Sequence, residues 1–352
     1  MKSRRIGLVI LIAVIAIVVG YTFLRPDPIP EVAITGKLGG EKIGLYENPE
    51  FQEILEEKYG LTMDYRKAGS FDMVTDSLDG QDYLFPSSQL ALEAFNQSGN
   101  SSYRDEIIFN TPIVLYSYQV IVDALEQEGI VSNREGSYYV DMPALAEAIV
   151  EEKQWQDIGL NQFYGNILVD TTDPSASNSG HMFLGLLANA LNDNRVVSQG
   201  DVEALLPDIQ KIYNSIGFMN TSSADMFKQF LTLGVGQYKI VAGYESQLLE
   251  FSVQEPETYA SIKDDVVILY PEPTVWSSHI FIAVNEDADV AIDALLDEQI
   301  QEIAWKDHGY RTIVANSGAA DQFDVPGLAQ QVTQIMNMPD YQVMTQLVDG
   351  IQ

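Results

Sequence analysis

The sequence contains no cysteine and only three histidines among its 352 residues. The absence of cysteine excludes disulfides, thiol catalysis, cysteine-ligated zinc and a lipidated N-terminal cysteine. The histidines, His181, His279 and His308, form no HExxH pair, and no serine lies in a GxSxG motif. The sequence therefore lacks the common signatures of metallohydrolases and serine hydrolases. We therefore expect a protein that is not an enzyme and that uses no metal or cofactor.

Basic residues are scarce as well, with 19 Lys and Arg against 51 Asp and Glu, a formal net charge of -32. Such a chain lacks the basic face that nucleic-acid binding requires, and charge does not attract it to anionic lipid. Hydrophobic residues make up 46% of the sequence, so the acidity does not indicate disorder. Because four basic residues lie in the first 25, the rest of the chain holds 15 basic and 51 acidic residues.

One long apolar run lies at the N-terminus, where a basic cluster at 2–5 precedes the uncharged segment Ile6–Leu24. As a helix, this segment would span about 28 Å, close to the ~30 Å of a hydrocarbon core. A cleavable signal peptide, the alternative, has a shorter apolar region and a small-x-small cleavage site, neither of which is evident here. We predict a transmembrane anchor at 1–25 and a stiff linker at 26–30. The basic cluster places the remainder outside the cytoplasm.

Strands and helices alternate along the rest of the chain. An apolar strand at 31–35, a helix at 48–59 and an alternating strand at 61–65 form a βαβ unit, which predicts a parallel sheet. Further strands are predicted at 82–86, 110–122, 166–170, 238–243, 266–270 and 280–284, and helices at 143–155, 182–191, 202–216, 225–233, 292–303 and 328–336. The alternation predicts an α/β fold.

Hydroxyl-rich loops follow three of the predicted strands. Their candidate ligand-binding residues are Ser70, Ser87, Ser88, Thr172, Asp173, Ser177, Asn178 and Ser179. The simpler interpretation of the 171–180 loop is that its several capping-type residues only cap the N-terminus of the following helix. The functional interpretation is an anion site, because a helix N-terminus offers free N–H groups and the positive end of the dipole. We favour ligand contact, since the carboxyl ends of neighbouring strands line one crevice in α/β sheets.

Four further residues are candidates for the same crevice, each with a plainer alternative. Lys42, in the first strand-to-helix loop, could be the counter-charge for an anion, although a lone lysine is usually solvated. Tyr244 and Glu245 follow another predicted strand, and Glu245 could accept from a cationic group or hold a loop. His279 precedes a predicted strand, where a structural role is the commoner one.

The order and spacing of these segments resemble the exported solute-binding proteins of the two-lobed periplasmic-binding-protein superfamily, type II. The resemblance spans roughly residues 31–315 and rests on Glu41-Lys42-Ile43-Gly44, Ala68-Gly69-Ser70, Phe85-Pro86-Ser87-Ser88, Thr111-Pro112-Ile113-Val114-Leu115, Thr172-Asp173-Pro174, Ser177-Asn178-Ser179-Gly180, Gly243-Tyr244-Glu245, Ala304-Trp305 and His308-Gly309-Tyr310-Arg311. It implies two lobes, each a mixed or parallel sheet flanked by helices, with a ligand clamped between them. Members with such serine-rich loops often bind oxyanions. By position, Ser70, Ser87 and Ser88 would line one lobe, and Ser177, Asn178, Ser179 and Tyr244 the other.

On this resemblance we expect a membrane-anchored extracellular receptor for a small polar or oxyanionic solute, with an ABC permease as its partner. The first lobe is expected at 31–115 and 286–352 and the second at 116–285, with hinges near 115–118 and 284–285. Asp173 and Glu245 leave room for a zwitterionic or cationic solute. The alternative, which the fixed anchor motivates, is a surface sensory or interaction protein that uses the same fold to bind a protein partner.

Overall fold

The computed structural model describes residues 29–312 and 320–352. The predicted anchor lies outside these residues, and within them no helix has the length and apolarity to cross a membrane. The described strands are β1 (Val32–Leu38), β2 (Leu61–Lys67), β3 (Tyr83–Phe85), β4 (Arg104–Tyr118), β5 (Val131–Arg134), β6 (Ser137–Asp141), β7 (Ile240–Tyr244), β8 (Val266–Glu272), β9 (Trp276–Ala283) and β10 (Arg311–Thr312).

The α-helices alternate with these strands, which bears out the predicted α/β class. They are α1 (Ile43–Glu47), α2 (Pro49–Tyr59), α3 (Ser70–Thr75), α4 (Gln89–Gln97), α5 (Gln119–Gln127), α6 (Met142–Val150), α7 (Asn178–Leu191), α8 (Val202–Ile216), α9 (Ser223–Gln237), α10 (Glu245–Gln254), α11 (Pro256–Ala260), α12 (Asp289–Leu295), α13 (Glu298–Lys306) and α14 (Tyr341–Gly350). Short 3₁₀ turns lie at Gly40–Lys42, Trp155–Ile158, Glu286–Ala288 and Ala320–Phe323.

Two sheets share the long strand β4. In the first sheet the order is β2-β1-β3-β9-β4-β10, with β1 parallel to β2 and β3 and with β9 antiparallel to its neighbours. In the second sheet the order is β7-β4-β8-β6-β5, mostly antiparallel. We call the first sheet with helices α1–α4, α12 and α13 the first lobe, and the second sheet with helices α5–α11 the second lobe.

The chain passes between the lobes at two places. Strand β4 pairs with β9 up to Pro112 and with β7 from Ile113, so it changes sheets between these two residues. The return lies between the end of β8 at Glu272 and the start of β9 at Trp276. Strand β9 therefore belongs to the first lobe, and the chain returns earlier than the boundary at 285 that the sequence predicted.

Local sequence explains how α2 is set beside the parallel strands. The Asn48 side chain accepts hydrogen bonds from the N–H groups of Glu50 and Phe51 at 2.9 and 3.3 Å, and Pro49 occupies the first helical position. Gly60 ends the helix with φ of 63°, a left-handed conformation that glycine adopts without strain. The helix buries Phe51 and Leu55 in the first-lobe core.

Two predicted elements are wrong. The segment 166–170 makes only single bridges, from Asn166 to Gln154 and from Asp170 to Val241 of β7, although Ile167 and Val169 are buried. The predicted helix at 328–336 is an extended segment with one bridge, between Thr274 and Ile335. The C-terminal helix is instead α14, which begins where Asp340 caps the N–H of Val343 at 2.9 Å.

Candidate functional site

A cavity of about 340 Å³ lies between the lobes, beside the carboxyl ends of β1, β2 and β7. Its first-lobe lining is Gly39, Gly40, Glu41, Lys67, Ala68, Gly69, Ser70 and Asp72, and its second-lobe lining is Ala176, Ser177, Asn178, Thr221, Ser222, Ser223 and Tyr244. Strands β1 and β2 are parallel neighbours, so the loops that follow them reach the same edge of the first sheet. The hydroxyl-rich loops that the sequence singled out therefore meet across one cleft.

On the first-lobe side, a cluster of four side chains begins at the cavity surface with Glu41 and continues behind it. The Lys42 ammonium is fully buried and contacts Glu41 Oε1 at 2.5 Å, Ser87 Oγ at 2.6 Å and His279 Nδ1 at 3.2 Å. Ser87 also donates to Glu41 Oε1, and the Phe85 ring centroid lies 5.0 Å from the ammonium. We call these four residues, Glu41, Lys42, Ser87 and His279, the lysine cluster.

Burial and charge act against each other within the lysine cluster. Burial alone would raise the pKa of Glu41, but the Lys42 charge, the nearby His279 and the hydrogen bonds from Lys42 and Ser87 lower it to about 2. Burial lowers the pKa of Lys42, and the Glu41 charge opposes that shift. Burial and the Lys42 charge together hold the pKa of His279 well below its usual range. The arrangement is an ion pair between Glu41 and Lys42 beside a neutral imidazole.

On the second-lobe side, the N-terminus of α7 faces the cavity. Ser177 is its N-cap residue but makes no side-chain cap bond, and the first N–H groups of a helix have no acceptor within it. The Asn178 amide donates to Tyr244 Oη at 2.9 Å, and burial raises the pKa of Tyr244, which keeps that hydroxyl neutral. Asn178 Oδ1 is buried without a hydrogen-bond partner. We call Ser177, Asn178 and Tyr244 the asparagine wall.

The lobes touch around this cavity. Asn178 Nδ2 of the second lobe donates to the Ser87 carbonyl of the first lobe at 2.8 Å, and Ser277 Oγ, also of the first lobe, donates to the same carbonyl at 2.6 Å. A Cβ atom on Gly69 would lie 3.0 Å from the Ala176 carbonyl, so a glycine permits this close approach. The two lobes are therefore in direct contact beside the cavity.

The structure places the predicted site residues in four different settings. Ser70, Ser177, Asn178 and Tyr244 line the cavity, while Lys42, Ser87 and His279 lie directly behind it. Thr172 and Ser179 hydrogen-bond to each other at 2.8 Å and are buried, and Asp173 accepts from Ser175 in a turn. Ser88 caps α4 by accepting from Leu90 N and lines a separate cavity.

Glu245 has the structural role that the sequence offered as the alternative to ligand contact. It is fully buried, and its carboxylate accepts from Arg311 Nε at 2.6 Å and from Tyr270 Oη at 2.5 Å. Its charge is thus committed to a structural ion pair outside the cavity lining.

Sequence reasoning missed several lining residues. Glu41 and Asp72 could not be distinguished from the many other carboxylates of the chain, and Lys67, at the end of a strand, was not a candidate. Thr221 and Ser222 precede α9, Ser223 is its first residue, and all three line the second-lobe side. The rule applied to the 171–180 loop, a run of hydroxyls before a helix, would have found them.

Comparison with solved structures identifies the fold. The chain aligns with the periplasmic binding protein P5PA at a TM-score of 0.59 and 13% identity, over 91% of this chain and 98% of that one. It aligns with the substrate-binding protein of the ABC transporter from Agrobacterium tumefaciens at 0.57 and 12% identity, over 93% and 96%. It aligns with the sulfate-binding protein SubI from Mycobacterium tuberculosis H37Rv at 0.54 and 14% identity, over 84% and 92%.

The fold is that of periplasmic solute-binding proteins. No protein-family model matches the sequence, and no curated protein matches it. Identities of 12–14% establish the shared fold and leave the function to be argued from the cleft.

Proposed function

We propose that this protein is the solute-binding receptor of an ABC transporter and that it clamps a small polar or oxyanionic solute between its lobes without catalysis. The observation that carries the proposal is the cleft itself, in which a helix N-terminus and several hydroxyls face loops of the other lobe across about 340 Å³. Such a volume lies at the small end of ligand pockets. The solved structures of the same fold, with a sulfate-binding protein among them, support this proposal.

Asn178 is the residue we assign to coupling solute binding to lobe closure. It belongs to α7 of the second lobe, lines the cavity and donates to the Ser87 carbonyl of the first lobe. A solute that contacts Asn178 therefore binds the closed state better than the open one, and that difference shifts the population toward closure.

We propose further that the N-terminal segment Ile6–Leu24 anchors the receptor to the outer face of the membrane, so that the lobes are extracellular or periplasmic. Alkaline carbonate extraction of host membranes checks this. An anchored receptor stays in the pellet, and recovery of the whole protein in the supernatant contradicts the anchor.

The receptor function is tested by thermal melts of the full chain against a panel of oxyanions, amino acids and metal ions. At least one solute should raise the melting temperature, and Asn178→Ala should abolish that rise. Asn161→Ala, an exposed substitution of the same kind outside the cleft, should leave it intact. A panel without any shift counts against the receptor. Genes for a permease and an ATPase beside this one would support transport.

A further inference from the structure

Lys42 has no hydrogen to offer a solute. An ammonium carries three N–H donors. Three acceptors of this chain surround the Lys42 nitrogen: Glu41 Oε1 at 2.5 Å, Ser87 Oγ at 2.6 Å and His279 Nδ1 at 3.2 Å. Its side chain has no exposed surface. Lys42, the predicted counter-charge for an anion, therefore makes all its hydrogen bonds within the protein.

The first-lobe charge that faces the cavity is a carboxylate instead. The Glu41 side chain retains 8% of its exposure and lines the cavity, as does Asp72, against one lining cation, Lys67. A Cβ atom on Gly39 would lie 2.3 Å from Glu41 Oε1, so a glycine is required there for the carboxylate to occupy this place. The local sequence therefore accommodates Glu41 at the cavity wall.

The asparagine wall holds a buried, unused acceptor beside the same cavity. The Ser87 carbonyl can only accept, so the 2.8 Å contact assigns the donating NH₂ group of Asn178 to that side and leaves Oδ1 on the other. Asn178 is 8% exposed, lines the cavity, and its Oδ1 has no partner. A buried acceptor without a donor is costly. The group that completes it must carry N–H or O–H, which a fully ionised oxyanion lacks.

We propose that the solute is a small zwitterion whose protonated amine is held by Glu41 and Asn178 Oδ1 and whose carboxylate lies at the N-terminus of α7. This inference rests on the proposed receptor function and names its substrate class. The helix N-terminus supplies free N–H groups for the carboxylate. Across the cleft, the contacts of Glu41 with Lys42 and Ser87 use Oε1, which leaves Oε2 for the ammonium group. The net charge of -32 opposes the approach of a plain anion, whereas a zwitterion carries no net charge to be repelled.

Isothermal titration of the full chain in detergent tests the inference. The probes are the twenty common amino acids, and each that binds is compared with its des-amino carboxylic acid and its decarboxylated amine. Sulfate and molybdate serve as oxyanions without an amine. We expect an amino acid to bind and both truncated analogues to bind at least ten-fold more weakly. Glu41→Gln should weaken the amino acid at least ten-fold, and the exposed control Glu56→Gln should change its affinity less than two-fold.

Three results overturn the inference. Binding of sulfate or molybdate that tightens in Glu41→Gln would make Glu41 an internal competitor of anions, while the receptor function stands. Equal amino-acid affinity in Glu41→Gln and Glu56→Gln would also reject the role of Glu41. If no probe binds the wild type, both the receptor function and this inference are rejected. Circular dichroism checks folding, and if Glu41→Gln does not fold, Glu41→Asp must weaken binding for the inference to survive.

Discussion

The two sides of the cleft satisfy their polar groups in different ways. In the lysine cluster, charges are buried and paired within the chain, with Lys42 bonded to Glu41, Ser87 and His279. The asparagine wall is uncharged, and it keeps an acceptor and a helix N-terminus without internal partners. A buried ion pair fixes local geometry at some cost in desolvation, whereas unpartnered neutral groups remain available to a ligand. The difference suggests that the first lobe supplies a fixed charge and the second lobe supplies free hydrogen-bonding groups.

Removing one charge of the lysine cluster should have the largest effect on stability. Lys42→Met leaves the Glu41 carboxylate buried without its counter-ion, and breaking a buried pair in this way costs about 3–5 kcal/mol. Denaturant unfolding at pH 7 measures the loss. The double variant Glu41→Gln/Lys42→Met should lose less than Lys42→Met alone, because no charge is left unpaired.

The matched control for this pair is Lys37→Met on the surface of the same lobe. Lys37 pairs with Asp76 at 3.0 Å, but the Asp76 side chain is 59% exposed. Such pairs contribute about 0–1 kcal/mol. If Lys42→Met destabilises the protein no more than Lys37→Met does, the lysine cluster is not the buried ion pair described above.

Acid should affect the second lobe through His181, which lies one turn into α7. Its ring centroid is 4.4 Å from that of Phe71 in the first lobe, and burial lowers its pKa to about 4. The unfolded chain binds a proton at this histidine below pH ~6.5, while the folded protein does so only below about 4. Stability from His181 is therefore lost as the pH falls from about 6.5 to 4, by about 3 kcal/mol.

The variant His181→Asn separates this effect from an opposing one. Burial raises the pKa of Asp170 to about 6, so that group stabilises the folded state more at low pH over an overlapping range. Comparing wild type and His181→Asn at pH 7 and pH 4 cancels the Asp170 contribution. The variant should lose less stability on acidification. An identical pH dependence would show that His181 is not a buried neutral histidine.

The sequence allowed the α/β class, the βαβ unit and most loops of the cleft to be predicted, because these depend on local patterns. The hydroxyls at 70, 87 and 177 follow apolar segments, and the structure brings them to one place. The role of Lys42 could not be predicted in this way. Whether it faces a solute or Glu41 depends on His279, far along the chain, which approaches only when β9 returns to the first sheet.

The same limit explains the wrong prediction of a helix at 328–336. The apolar pattern at 328–336 fits a helix, but the segment extends beside the crossover and its backbone pairs with Thr274 instead. The N–H of Met336 donates to the Thr274 carbonyl at 2.8 Å. Tertiary pairing of this kind overrides a local pattern, and no short window of sequence contains it.

The smallest expected effect comes from two adjacent serines that resemble each other in sequence. Ser88→Ala removes an N-cap bond to Leu90 and should cost about 1 kcal/mol of unfolding free energy. Ser87→Ala leaves a donor of the buried Lys42 ammonium without an acceptor, which costs about 1–3 kcal/mol. Ser87→Ala should also lower the stability gained from the paired charges, so combining it with Lys42→Met should give less than the sum of the two losses. Urea unfolding of the single and double variants measures this coupling. Full additivity would place Ser87 outside the lysine cluster and reduce it to an ordinary loop serine like its neighbour.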